Sequence, residues 1–221
     1  MKKIVIITLC LALIAAVTLS VVACGITDEF SKFEKVFESG VKTLETAEEG
    51  KTENQGTAEL VQSRILFGAE TEELPLENEP TLLSKVEQAL GYWQSIKDNQ
   101  VVVDEGTIAI KETFAALKEN YKLLKESGVG LTPEEKQYFL DKALEAAGAK
   151  DAIEGTIEKV YKVIGESRSL FKFSTIDQAL PILMSASENM QIRTSNVVIL
   201  RQIVEEANAM LVAKIAEIPA E

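Results

Sequence analysis

Histidine is absent from the 221 residues. That single absence removes the commonest general base at neutral pH, every His-based catalytic triad and every imidazole metal ligand. Positive charge is scarce as well, with 23 lysines and arginines against 35 aspartates and glutamates. A surface with that balance repels polyphosphate, so nucleic-acid binding and docking onto acidic lipid by a basic patch are both disfavoured. Cys10 and Cys24 are the only cysteines, and Trp93 is the only tryptophan. No alternating apolar run extends beyond Val101 to Val103, and no internal repeat recurs at a fixed period.

What the chain does have begins at its N-terminus. Lys2 and Lys3 precede an apolar run from Ile4 to Ser20, which ends in Val21-Val22-Ala23-Cys24-Gly25. A charged start, an apolar stretch and a small residue before the cut form the pattern of an export signal. The stretch resembles the lipobox of bacterial lipoproteins. That resemblance implies cleavage before Cys24, acylation of Cys24 by fatty chains such as palmitate, and a location outside the cytoplasm. By likeness to the sorting pattern of enteric lipoproteins, Gly25 in place of aspartate implies the outer membrane if the host is Gram-negative. The alternative is an uncleaved signal anchor, since Ile4 to Ala23 nearly matches the roughly 20 residues that span a bilayer. Both readings put the remainder on the outer side of the membrane.

Removing residues 1–23 deletes Cys10, so the mature chain keeps Cys24 alone and cannot form an internal disulfide. With Cys24 acylated, thiolate metal sites and cysteine nucleophiles go too. It also deletes Lys2 and Lys3 and no acid, leaving 21 bases against 35 acids, or −14 with an acylated N-terminus. A domain of about 200 residues can bury enough apolar surface to stand without cross-links. No cofactor is implied.

Beyond the signal the dominant pattern is helical. Ile26, Phe30, Phe33, Phe37, Val41 and Leu44 share one stripe of a helix that starts almost at the anchor. Ala47 to Thr57 carries glycines and no apolar period and is predicted to be a loop. Leu60 to Phe67 predicts a short apolar segment, and Ala69 to Pro80, with five glutamates and two prolines, predicts a break. Leu82, Val86, Ala89, Trp93 and Ile96 form a second stripe. Val103, Thr107, Ile110, Phe114, Leu117, Tyr121 and Leu124 follow the four-three spacing of a bundle seam, ended by Ser127 to Gly130.

Thr132-Pro133-Glu134-Glu135 has the layout of a capping box with proline at the first helical position. Leu140, Leu144 and Ala147 extend that helix to a predicted stop at Gly148. Ile153 to Ile164 predicts the next helix, ending near Gly165. Ser174-Thr175 offers a cap for a helix kinked by Pro181, and Thr194 or Ser195 a cap for a last helix ending before Pro219. The expectation is an all-α bundle of six or seven amphipathic helices. Its organisation is a signal peptide over 1–23, a lipidated cysteine with N-terminal helix and polar loop over 24–57, and a helical bundle over 58–221, with the N-terminal helix set apart by its loop.

Chemistry-bearing patterns are few. The glutamates at 70, 72, 73, 77 and 79 lack the Asp and Asn alternation and turn glycine of a calcium loop and read as a solvated acidic loop. Glu38-Ser39, Glu126-Ser127 and Glu166-Ser167 resemble the Glu-Ser start of the lytic transglycosylase motif, but none continues into its glycine-rich, Gln-containing remainder. The mixture of basic and aromatic residues from Tyr161 to Phe173, with Arg168, Phe171, Lys172 and Phe173, and the pair Tyr92 and Trp93 beside Gly91, are the candidate ligand or partner surface. The expected function is a non-catalytic, membrane-anchored envelope lipoprotein that binds a protein partner through a helical surface. Its alternatives are a helical module with an interhelical pocket for an apolar or glycan ligand, and a carboxylate-dependent glycan-cleaving enzyme.

Overall fold

The computed structural model describes residues 28–71 and 79–218. The signal sequence, Cys24, the acidic residues from 72 to 78 and Pro219 lie outside the described residues. Within them the chain is all-helical and folds as an up-down-up-down bundle. Helix α1 spans Glu29–Thr71, α2 Glu79–Glu126, α3 Pro133–Glu154, α4 Tyr161–Glu166 and α5 Ile176–Ala216. Three single 3-10 turns, Ile157–Lys159, Arg168–Leu170 and Phe173–Thr175, flank α4. With α3 and α4 they make up the third rod.

Fewer and longer helices appear than the sequence predicts. α1 runs unbroken through Ala47 to Thr57, where a loop is expected. A helical glycine costs only about 1 kcal/mol against alanine, and burial of Ala47 together with a 2.6 Å ion pair from Lys51 to Asp104 of α2 holds this part of the helix in place. α1 is not set apart: Phe30, Phe33, Phe37 and Leu44 belong to the same core as the other helices. The stripe from Leu82 and the seam from Val103 lie on the single helix α2, and every seam residue is buried except half-buried Tyr121.

Thr194 and Ser195 start nothing. Their hydroxyls donate to the carbonyls of Met190 and Gln191 four residues back, which satisfies them inside an uninterrupted α5. α5 also continues across Pro181, which stands on an exposed face in its second turn. The hinge expected at Gly148 falls instead at Gly155, because Ala149 and Ile153 are buried and carry the helix onward. The buried stripe of α3 is Phe139, Ala143, Ala146, Ala149 and Ile153, and Leu144 points outward.

Two predicted boundaries are present as drawn. Thr132 caps α3 with its hydroxyl accepting from the Glu135 amide at 3.2 Å, and Glu135 accepts from the Thr132 amide at 2.6 Å. Gly128 takes φ +75 just after α2, a conformation that side chains disfavour and glycine tolerates. At the start of α1, the Asp28 carboxylate accepts from the Phe30 amide at 2.8 Å and serves as the N-cap.

The most extensive packing among the described residues joins α2 and α5, which run parallel. Lys85 meets Asp177 near both starts, Ser187 donates to Ser95 in the middle, and Asn120 donates to Asn208 near both ends. Small residues allow the close approach. A Cβ on Gly106 would sit 2.6 Å from Cγ1 of Val197.

Candidate functional site

The residues that sequence reasoning marked as a surface are not brought together as one. Trp93 is 4% exposed on α2, and its indole nitrogen is buried without an acceptor. Phe171 is fully buried, filling the core where the third rod turns into α5. Neither side chain is available to a docking partner. Tyr92 is half-buried, and Arg168 and Lys172 are exposed on the same irregular connection. Phe173 opens a 3-10 turn, and its side chain is outside the described set. Glu38, Glu126 and Glu166 lie exposed on α1, α2 and α4, and Glu38 pairs with Lys118.

The structure instead assembles a polar layer halfway along the bundle. Arg193 of α5, 1% exposed, donates from Nε to the Thr156 hydroxyl and from an Nη to the Thr156 carbonyl, both at 3.0 Å. The Thr156 hydroxyl in turn donates to the Ile153 carbonyl at 2.6 Å. The guanidinium therefore sits at the C-terminal end of α3, where carbonyls left without helical partners favour a cation. Burial lowers the Arg193 pKa, and the neighbouring Tyr161 opposes that shift. Burial raises the Tyr161 phenol, with Arg193 acting to lower it and Asp104 to raise it.

Asp104 completes the layer, accepting from Lys51 of α1 at 2.6 Å and from the Gln100 amide at 2.5 Å. The Gln100 carbonyl oxygen is buried without a donor. Lys51 and Asp104 thus join α1 to α2, and Arg193 and Thr156 join α5 to the end of α3. This layer was missed from the sequence, and the signal that could have found it is Arg193 at a core-spaced position in the apolar stripe of Met190, Val197, Leu200 and Val204.

At the end of the bundle where the described chain begins, the aromatic residues cluster. The Phe30 ring stacks on Tyr121 at 3.6 Å between centroids, and Phe139 meets Phe30 and Phe33 edge-on at 5.1 and 5.3 Å. Tyr121 donates a short hydrogen bond to Asp28, whose carboxylate also pairs with Lys125 at 3.1 Å. Burial raises the Asp28 pKa, but the hydrogen bonds from Tyr121, Lys125 and the Phe30 amide outweigh it and leave the carboxyl below its ordinary value. The Tyr121 phenol is pushed up by burial and by the Asp28 charge.

A cleft of about 530 Å³, lined by Glu158, Lys162, Val163, Glu166, Pro181 and Ile182, is an open groove between the third rod and α5. Another, of about 210 Å³, is lined by Asp28, Tyr121 and Lys125 of the aromatic end together with Leu131. Among the described residues, no group of three carboxylates or thiols is placed to hold a metal ion, and no helix is long and apolar enough to cross a membrane. No family model, curated protein or solved structure matches the chain.

Proposed function

We propose that the protein is an envelope lipoprotein, held outside the cytoplasm on a bacterial membrane by acyl chains on Cys24, that is not an enzyme and binds a protein partner through a helical surface. The observation that carries the anchor is Val21-Val22-Ala23-Cys24-Gly25 after an apolar run and two lysines. More than one acyl chain is enough for stable attachment. In a Gram-negative host, Gly25 after the cysteine supports the outer membrane.

The partner reading draws on the outer side of α2. Val101 and Ile108, seven residues apart on one stripe, are 55% and 59% exposed. Aliphatic side chains lined up in this way supply apolar area to a docked protein. The open shape of the groove beside Pro181 supports a protein over a small apolar or glycan ligand, which a site normally buries over most of its surface. A photo-crosslinking amino acid at position 108, expressed in intact cells, should give one discrete adduct of fixed mass. The same probe on the opposite, buried side at position 110 should give none. Equal labelling of many proteins from position 108, or none, contradicts a specific partner on this face.

A further inference from the structure

We infer that the end of the bundle formed by Asp28, the 127–132 loop and the last turn of α5 is apposed to the bilayer, with the bundle standing upright on it. The inference rests on acylation of Cys24. Four residue steps separate Cys24 from Asp28, and even fully extended they reach no more than about 14 Å. The headgroup layer takes up about 6 Å of that reach. Asp28 is therefore held close to the membrane surface.

Asp28 is itself fixed by Tyr121 and Lys125 of α2 and caps α1 directly, which sets its place at this end of the bundle. At the same level the loop is tied down: Ser127 donates through its hydroxyl to the Leu124 carbonyl, and the Gly128 amide donates to the Lys125 carbonyl. Val129 and Leu131 pack half-buried against the core from this loop. Leu123 and Val212, near the ends of α2 and α5, leave half of their surface uncovered, at 51% and 50% exposure.

Aliphatic side chains at the tethered end suit the boundary of the headgroup region, where apolar side chains are accommodated. The opposite end carries the turn Phe173–Thr175 and the start of α5. A 41-residue α5 rises about 61 Å. Upright attachment thus holds the far end and the outer stripe of α2 away from the lipid, free for a partner.

The test uses protein extracted from membranes and returned to vesicles of phosphatidylcholine and phosphatidylglycerol with spin-labelled headgroups. Acylated Cys24 carries no free thiol, so a single new cysteine takes a fluorophore. Gly130→Cys and Ser174→Cys serve, since both positions are exposed and a Cβ at Gly130 meets nothing within 4 Å. Upright attachment predicts strong quenching at 130 and none at 174. Quenching at both positions means that the bundle lies flat, and quenching only at 174 or at neither also overturns the inference. The intact mass of the same sample shows whether Cys24 is acylated. An acylated protein with the wrong quenching overturns the orientation alone, whereas a protein without acyl chains overturns the anchor reading and the orientation with it.

Discussion

Arg193 is the buried residue that joins α5 to the end of α3. A buried guanidinium without a carboxylate in contact is costly, and here the end of α3 and the Thr156 oxygens compensate it. Arg193→Ala removes both hydrogen bonds to Thr156 and opens a void, and should cost about 2 to 4 kcal/mol in denaturant unfolding. A loss within the noise of a surface substitution would show that solvent replaces the guanidinium there. The tyrosines give a pH dependence with a definite sign. The folded pKa values of Tyr121 and Tyr161 lie above the ordinary value of 10.0, so their contribution is full below pH 10 and is lost as pH rises beyond it. Asp28 and Glu135 have lowered values. Their contribution is present above ordinary values of 3.8 and 4.5 and is lost as pH falls below them. Thermal unfolding followed between pH 8 and pH 12 should show a lower midpoint above about pH 10, and Tyr121→Phe should flatten that decline.

At the scale of elements, glycines separate local propensity from packing. Gly148 lies exposed in α3 with open space around a Cβ, so Gly148→Ala should stabilise by about 0.5 to 1 kcal/mol. Gly106→Ala gains the same propensity but drives a methyl into Val197 and should destabilise by about 1 to 3 kcal/mol. Unfolding midpoints that move the same way in both variants would mean that α2 and α5 do not meet at Gly106. The same contrast shows what could be read from the sequence. The α1 stripe from Phe30, the α2 seam and the Thr132 box were legible because each is written in local spacing. The helix ends predicted at Ala47, Gly148 and Thr194 were not, because glycine, serine and threonine weaken a helix by less than a packed neighbour restores. Arg193 and Asp28 were missed as site residues because their partners, Thr156 and Tyr121, lie 37 and 93 positions away.

For the whole molecule, the core runs through all four rods, and Phe114 stands in its middle, 5% exposed with the Phe37 ring 4.9 Å away. Phe114→Ala should cost about 3 to 5 kcal/mol, a large share of the roughly 5 to 15 kcal/mol that holds a domain together. Soluble protein beginning at Gly25 should keep its helical circular dichroism in chelator and in reductant, and loss of that signal with either would reveal a metal or disulfide in the fold. The account as a whole turns on the anchor, because both the upright stance and the exposed stripe of α2 take their meaning from it. The most direct measurement is the intact mass of the protein extracted from membranes by detergent. The account predicts a chain that begins at Cys24, heavier than its residues by two or three acyl chains with glycerol. A mass that still contains residues 1–23 without added lipid would contradict it.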